Sequence, residues 1–177
     1  MIKVVVLDRD GVINIDSIAY IKSPDEWVAI PGSLDAIARL TKGGFKVVVA
    51  TNQSGLARGY FTAEILSQIH AKMCKQVEEV GGKIDAIFVC PHGPQDNCGC
   101  RKPKPGLFME IAKHYDVNNK EMLVVGDSMR DLIAAKSFDV KSILVKTGNG
   151  EETSKQDVNV PVVDDLAAAV DLIYSRG

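Results

Sequence analysis

The residues able to do chemistry fall in short clusters, each just beyond an apolar run. Asp8 and Asp10 stand one residue apart after the run 2–7, and a glycine follows them. Thr51 and Asn52 end a second run, Arg101 and Lys102 lie beyond a third, and Asp127 and Asp131 follow a fourth. Two acids one residue apart repel each other, so folding them together is costly unless a cation or a proton intervenes. Read alone, Asp8 to Gly11 is also what a plain solvated acidic turn looks like. The repetition of polar groups at successive run ends favours chemistry. A hard cation such as Mg²⁺ with oxygen ligands shields acids from each other and from an incoming phosphate. A hydroxyl and an ammonium hold phosphoryl oxygens while charge develops on them, and a carboxylate is a recognised nucleophile. Brought to one crevice, these groups would carry out phosphoryl transfer through Mg²⁺.

Cys90, His92, Cys98 and Cys100 make a second constellation, spaced Cys-x-His-x₅-Cys-x-Cys. Three thiolates and one imidazole form the closed tetrahedral donor set of structural Zn²⁺. In a reducing compartment that reading is stronger than disulfides, adventitious loop cysteines or a redox pair. The set leaves no open coordination position, so zinc would shape the loop carrying Arg101 and Lys102 without joining the chemistry. Cys74 sits inside a helical pattern and reads as a free, partly buried thiol.

These clusters need elements to position them. Strand-like runs at 2–7, 45–51, 84–90, 122–126 and 141–146 alternate with helical patterns, and a short edge strand is expected at 160–163. The first run is apolar almost throughout, as suits a strand buried on both faces. Gly32-Ser33 opens one helix and Gly43-Gly44 stops it; Thr62 caps a long one; others start near Leu107, after Asp131 and, capped by Asp164, at Leu166. Residues 15–31 have no helical period and read as a long loop or hairpin over the end of the first strand. Alternating strands and helices imply an α/β fold: a doubly wound parallel sheet in one domain spanning 1–177. In such sheets ligands bind beyond the carboxyl ends of the strands, where the polar clusters fall.

Composition excludes several classes. The chain is 46% hydrophobic with net charge −2, which gives no electrostatic reason to bind nucleic acid or an anionic membrane. Neither a signal peptide nor an apolar stretch near the ~20 residues of a bilayer span is visible. A cytoplasmic monomer is expected.

Asp8-x-Asp10-Gly-Val, Thr51-Asn52, Lys102-Pro103 and Gly126-Asp127-Ser128-x-x-Asp131 resemble the four motifs of the haloacid dehalogenase-like phosphohydrolases, in order and across essentially the whole chain. The resemblance implies a Rossmann-like fold, Asp8 as nucleophile and Mg²⁺ ligand, and Asp10 as acid/base lending its backbone carbonyl to Mg²⁺. It implies Thr51 and Lys102 as phosphoryl ligands and Asp127 as a further Mg²⁺ ligand, with Asp131 less defined and Lys104 a rival to Lys102. The zinc loop, Arg-Lys-Pro-x-Pro-Gly and the stretch Gln53 to Phe61 are similar to the D-glycero-D-manno-heptose 1,7-bisphosphate 7-phosphatases. That implies no cap domain, and substrate framed by loops at 14–31, 53–61 and 92–106. Asn52, Arg58 and Arg101 would contact a phosphorylated sugar, and the product would feed nucleotide-activated heptose synthesis for lipopolysaccharide core or surface glycans. The alternatives are a histidinol-phosphate phosphatase, which shares the motifs and a similar zinc loop, and a catalytically dead cation-binding module.

Overall fold

The structure, a computed structural model, describes residues 1–175. Its centre is β1 (Val4–Leu7), four fully buried residues. β1 is flanked by β2 (Lys46–Asn52) and β4 (Met122–Gly126), both parallel to it, with Val4 opposite Lys46 on one side and Met122 on the other. β3 (Ala86–Cys90), β5 (Lys141–Val145) and the two-residue β6 (Val162–Val163) complete a parallel sheet of order β3-β2-β1-β4-β5-β6. The chain therefore winds outward from β1 to β3, returns to the other side at β4, and winds outward again. The crevice between the ends of β1 and β4 is the topological switch point at which such sheets bind ligands.

Successive side chains of a strand face opposite ways, so β1 serves two cores. Val5 and Leu7 join Ile37 and Leu40 of α1 (Ser33–Lys42), Ile69 and Met73 of α2 (Ala63–Glu79), and Ala169 and Ile173 of α6 (Leu166–Ser175). Val4 and Val6 pack with Phe108 and Ile111 of α3 (Gly106–Tyr115) and with Ala134 and Ala135 of α4 (Met129–Ser137). Thr62 caps α2 as its sequence suggests, its hydroxyl accepting from the Ile65 N–H. The cap of α6 is corrected by one residue. The Asp165 carboxylate accepts from the Ala168 N–H, while Asp164 turns outward toward Lys146. A five-residue helix, α5 (Gly150–Ser154), follows β5.

Residues 15–31 form the expected long loop, closed like a hairpin by Ile15 N–H to the Val28 carbonyl and Ile30 N–H to the Ile13 carbonyl. The Lys72 ammonium of α2 pins its far side, donating to the carbonyls of Pro24 at 2.7 Å and Trp27 at 2.9 Å. No cap domain covers the strand ends among the described residues, and no helix is long and apolar enough to cross a membrane. Hydrogen bonds to a charged donor contribute ~1.5–3 kcal/mol each. Lys72→Met is therefore expected to speed amide exchange in residues 24–28 by about tenfold or more while the sheet amides keep their protection. Unchanged exchange in that segment would show that the loop holds itself in place.

Candidate active site

The loops after the strands enclose a cavity of about 390 Å³ lined by Asp8, Asp10, Asn52, Lys102 and Asp127, with Asp16 and Tyr20 from the long loop and Arg58, Arg101 and Arg130 at the edges. Asp8 lies on its floor. Its Oδ1 accepts from the Arg9 N–H at 2.8 Å and sits 3.1 Å from Lys102 Nζ. Among the described residues Oδ2 accepts no hydrogen bond, which leaves one oxygen free to meet a ligand. Burial, then the carboxylates of Asp131 and Asp127, raise the Asp8 pKa well above the ordinary range against the pull of Lys102.

Lys102 has three protons and three partners: the Ala50 carbonyl at 2.8 Å, Asp131 Oδ1 at 2.7 Å and Asp8 Oδ1. Burial disfavours the ammonium, but Asp131 and Asp8 outweigh it and raise its pKa, so the lysine stays charged. Asn52 fixes the backbone of Lys102 from both sides, donating from Nδ2 to its carbonyl and accepting its N–H on Oδ1. Both ends of the Asn52 amide are thereby committed to the lysine, although the residue also lines the cavity. Thr51 is buried, and its hydroxyl accepts from Gln53 Nε2 at 2.9 Å; it is not among the lining residues. Lys104, the rival lysine, instead holds the Cys98 carbonyl at 2.8 Å.

Asp127 is wedged against backbone. Gly11 and Gly148 have φ of +83° and +59°, and a methyl group at either would overlap the Asp127 carboxylate. Asn149 donates to Asp127 Oδ2 from its backbone N–H at 2.8 Å and its side-chain amide at 3.2 Å. Burial first, and then Asp131, push the Asp127 pKa up to about 7. Asp131 closes the cluster, since single ligand atoms of Asp8, Asp127 and Asp131 lie within 4.8 Å of one another. Its oxygens are already occupied: Oδ1 by Lys102, Oδ2 by the N–H groups of Asp127 and Ser128 and the Ser128 hydroxyl. Asp131 therefore anchors the lysine and the turn, and Asp8 and Asp127 are the carboxylates whose donor chemistry fits a hard cation.

Asp10 points differently. Its Oδ1 accepts from Arg9 Nε at 3.0 Å, Arg9 Nη2 at 2.8 Å and Asn14 Nδ2 at 3.0 Å, and its Oδ2 from Gln53 Nε2 at 3.1 Å. Arg9, Asn14, Asn149 and Arg130 were not singled out from sequence, and Gln53 entered only as the first residue of a substrate-framing loop. For Asn149 the polar ending of the fifth strand was the available signal.

The remaining cluster stands beside the site. Cys100 Sγ is 3.1 Å from Cys90 Sγ and 3.3 Å from His92 Nδ1, and Cys90 Sγ is 3.7 Å from Cys98 Sγ. Ligands at the usual Zn–S distance would stand about 3.8 Å apart on a tetrahedron. Burial raises the Cys90 thiol pKa, and burial with the Cys90 and Cys98 sulfurs pushes Cys100 up to about 12. A divalent cation removes that obstacle by deprotonating its thiols. Arg101 ties this loop to the cavity, donating from Nη1 to the His92 carbonyl at 3.3 Å.

A parallel sheet of this order, with Asp-x-Asp after β1, a buried lysine beyond β3 and Gly-Asp-Ser after β4, defines a haloacid dehalogenase-like phosphohydrolase, and a HAD-hydrolase-like family model matches residues 99–169. The chain is 53% identical over 177 residues to D-glycero-beta-D-manno-heptose-1,7-bisphosphate 7-phosphatase of Bordetella bronchiseptica, covering 98% of this chain and 99% of that one. It is 51% identical to the enzyme of the same name from Pseudomonas aeruginosa, covering 92% and 93%. The crystal structure of D,D-heptose 1,7-bisphosphate phosphatase from B. bronchiseptica, complexed with magnesium and phosphate, superposes with a TM-score of 0.96 at 51% identity, covering 99% of this chain and all of that one. The chain belongs to the D-glycero-beta-D-manno-heptose-1,7-bisphosphate 7-phosphatase family.

An acid whose pKa is raised to about 7 is largely protonated below that pH, and a cation binds only its ionised form. Divalent cation affinity is therefore expected to climb as pH rises toward 7, by up to about tenfold per unit. Calorimetric titration between pH ~5.5 and ~8 reads this directly. A pH-independent affinity would show that Asp127 is ionised throughout.

Proposed function

We propose that the protein removes the C7 phosphate of D-glycero-beta-D-manno-heptose 1,7-bisphosphate by way of an aspartyl phosphate on Asp8. The observation that carries this reading is identity to the Bordetella enzyme along the full chain, together with a free Asp8 oxygen beside a charged, buried Lys102. Asp8 attacks phosphorus, forming the acyl phosphate as the bond to the sugar oxygen breaks. Asp10 gives that oxygen its proton, then takes one from the water that attacks the acyl phosphate and frees Asp8. Lys102 would turn the proton it now directs at Asp8 Oδ1 to a phosphoryl oxygen in both steps. The Thr51 hydroxyl, which accepts from Gln53 but keeps its own proton, would donate to another. Asp8, Asp127 and the Asp10 backbone carbonyl would hold Mg²⁺, which when bound neutralises charge on the transferring phosphoryl group. The magnesium and phosphate in the Bordetella structure support this reading.

Without a cap domain, recognition of the rest of the substrate falls to the loops. Arg58, Arg101 and Arg130 line the cavity, and a planar guanidinium matches phosphate bidentately. Binding energy from a remote second phosphate can be used at the reacting centre, so its loss lowers turnover as well as affinity. The test is kcat/KM measured side by side on the heptose 1,7-bisphosphate, the heptose 7-phosphate and histidinol phosphate. The bisphosphate is expected to lead the others by at least ~10-fold, the scale of one phosphate–arginine hydrogen bond. Histidinol phosphate as the best substrate would overturn the sugar assignment and leave the phosphatase class intact.

The Cys90, His92, Cys98 and Cys100 set would hold Zn²⁺ as a purely structural ion. Purified protein is expected to carry about one zinc per chain, and Cys100→Ser to lose most of it and melt at lower temperature. Elemental analysis decides the point, since a metal-free protein with an unchanged melt removes the zinc assignment.

A further inference from the structure

Arg9 lies between the two catalytic carboxylates in sequence, yet its side chain is completely buried. Burying a guanidinium is costly unless its donors are matched. Nε and Nη2 both go to Asp10 Oδ1, and Nη1 lies 3.1 Å from Nε2 of His70 on α2, sixty-one residues away. A guanidinium donates only, so His70 Nε2 is the acceptor and the imidazole is neutral, with its proton on Nδ1. Burial, reinforced by Arg9 itself, lowers the His70 pKa to about 4 and keeps the ring in that form. The result is an unequal carboxylate. Asp10 Oδ1 receives three donors, two from Arg9 and one from Asn14, whereas Oδ2 receives only Gln53 Nε2. Gln53 donates from the same nitrogen to the Thr51 hydroxyl at 2.9 Å, which ties Oδ2 to the phosphoryl-binding side.

We propose that Arg9, held by His70, is a positioning residue for proton transfer: it saturates Asp10 Oδ1, so that Oδ2 carries the proton exchanged with the leaving oxygen and with water. This rests on the acid/base reading of Asp10 given above. Because three charged or polar hydrogens already converge on Oδ1, a proton there would displace one of them. Oδ2 meets only one amide, and a protonated Oδ2 still offers that amide a lone pair. The carboxylic acid is thereby held in one rotamer with its acidic oxygen fixed. His70 acts at one remove, by keeping the guanidinium from rotating off Oδ1.

Leaving-group chemistry separates positioning from support of the fold. Expulsion of a sugar alkoxide needs a proton from Asp10, whereas p-nitrophenolate leaves without one. Water attack on the acyl phosphate needs Asp10 whichever group has left. Arg9→Lys, His70→Phe, His70→Gln and a reference Asp10→Asn would be assayed with Mg²⁺ on the sugar bisphosphate and on p-nitrophenyl phosphate, after thermal melts establish that each is folded. Arg9→Lys is expected to lower kcat/KM on the sugar ester by ~10²-fold, the low end of what a positioned proton transfer contributes. On p-nitrophenyl phosphate kcat/KM should fall less than about tenfold, while kcat drops and a burst of p-nitrophenol marks accumulating acyl phosphate. His70→Phe should show the same pattern more weakly, by about tenfold on the sugar ester, and His70→Gln, whose amide oxygen is again an acceptor, should recover much of it. His70→Phe lies outside the motif and keeps the test alive if Arg9→Lys does not fold. Equal losses on both substrates in folded Arg9 and His70 variants, with Asp10→Asn showing the leaving-group pattern, would overturn the proposal. Absence of that pattern in Asp10→Asn would instead overturn the acid/base reading beneath it.

Discussion

Three carboxylates, Asp8, Asp127 and Asp131, meet within 4.8 Å at the ends of β1 and β4, with the Lys102 ammonium as the counter-charge that the chain supplies to Asp8 and Asp131. Much of the structure can be understood as managing that concentration of negative charge. Asp131 has both oxygens hydrogen-bonded, Asp127 is held by Asn149 with a protonation midpoint near neutrality, and Asp8 keeps one oxygen bare. The same concentration of negative charge would attract a hard cation and, with it, a phosphate dianion.

Sheet topology supplies the meeting place. β1 and β4 are neighbours in space, yet the paired residues Val6 and Val124 are 118 residues apart in the chain, and only the reversal of strand order brings their ends together. The register Val6 to Val124 and Leu7 to Val125 then sets Asp8 and Asp127 side by side. Nothing local to either motif would do this.

The same distinction explains what could be read without coordinates. β1, β2 and β4 were legible because strands buried on both faces are apolar throughout, and the motif residues sit at their ends. Cys90, His92, Cys98 and Cys100 were legible because all four donors fall within one short loop. Arg9 was passed over as the spacer of an Asp-x-Asp pair, and His70 looks like any polar residue on an amphipathic helix. Their contact spans sixty-one residues and exists only once α2 packs beside β1. The cap of α6 missed by one residue because Asp164 and Asp165 are adjacent and chemically identical, so only the backbone path distinguishes them.

α2 provides no side chain to the lining of the cavity, yet it reaches the machinery twice: His70 grips Arg9, and Lys72 grips the loop that carries Asp16 and Tyr20 to the cavity wall. One helix thus braces both Arg9, beside Asp10, and the loop that carries Asp16 and Tyr20. For anyone reading natural or laboratory variation in this enzyme, distance from the pocket is therefore a poor guide to consequence. A conservative-looking exchange at His70 or Lys72, neither of which lines the pocket, has a route to altered turnover, and replacing the long loop means bringing along the helix that braces it.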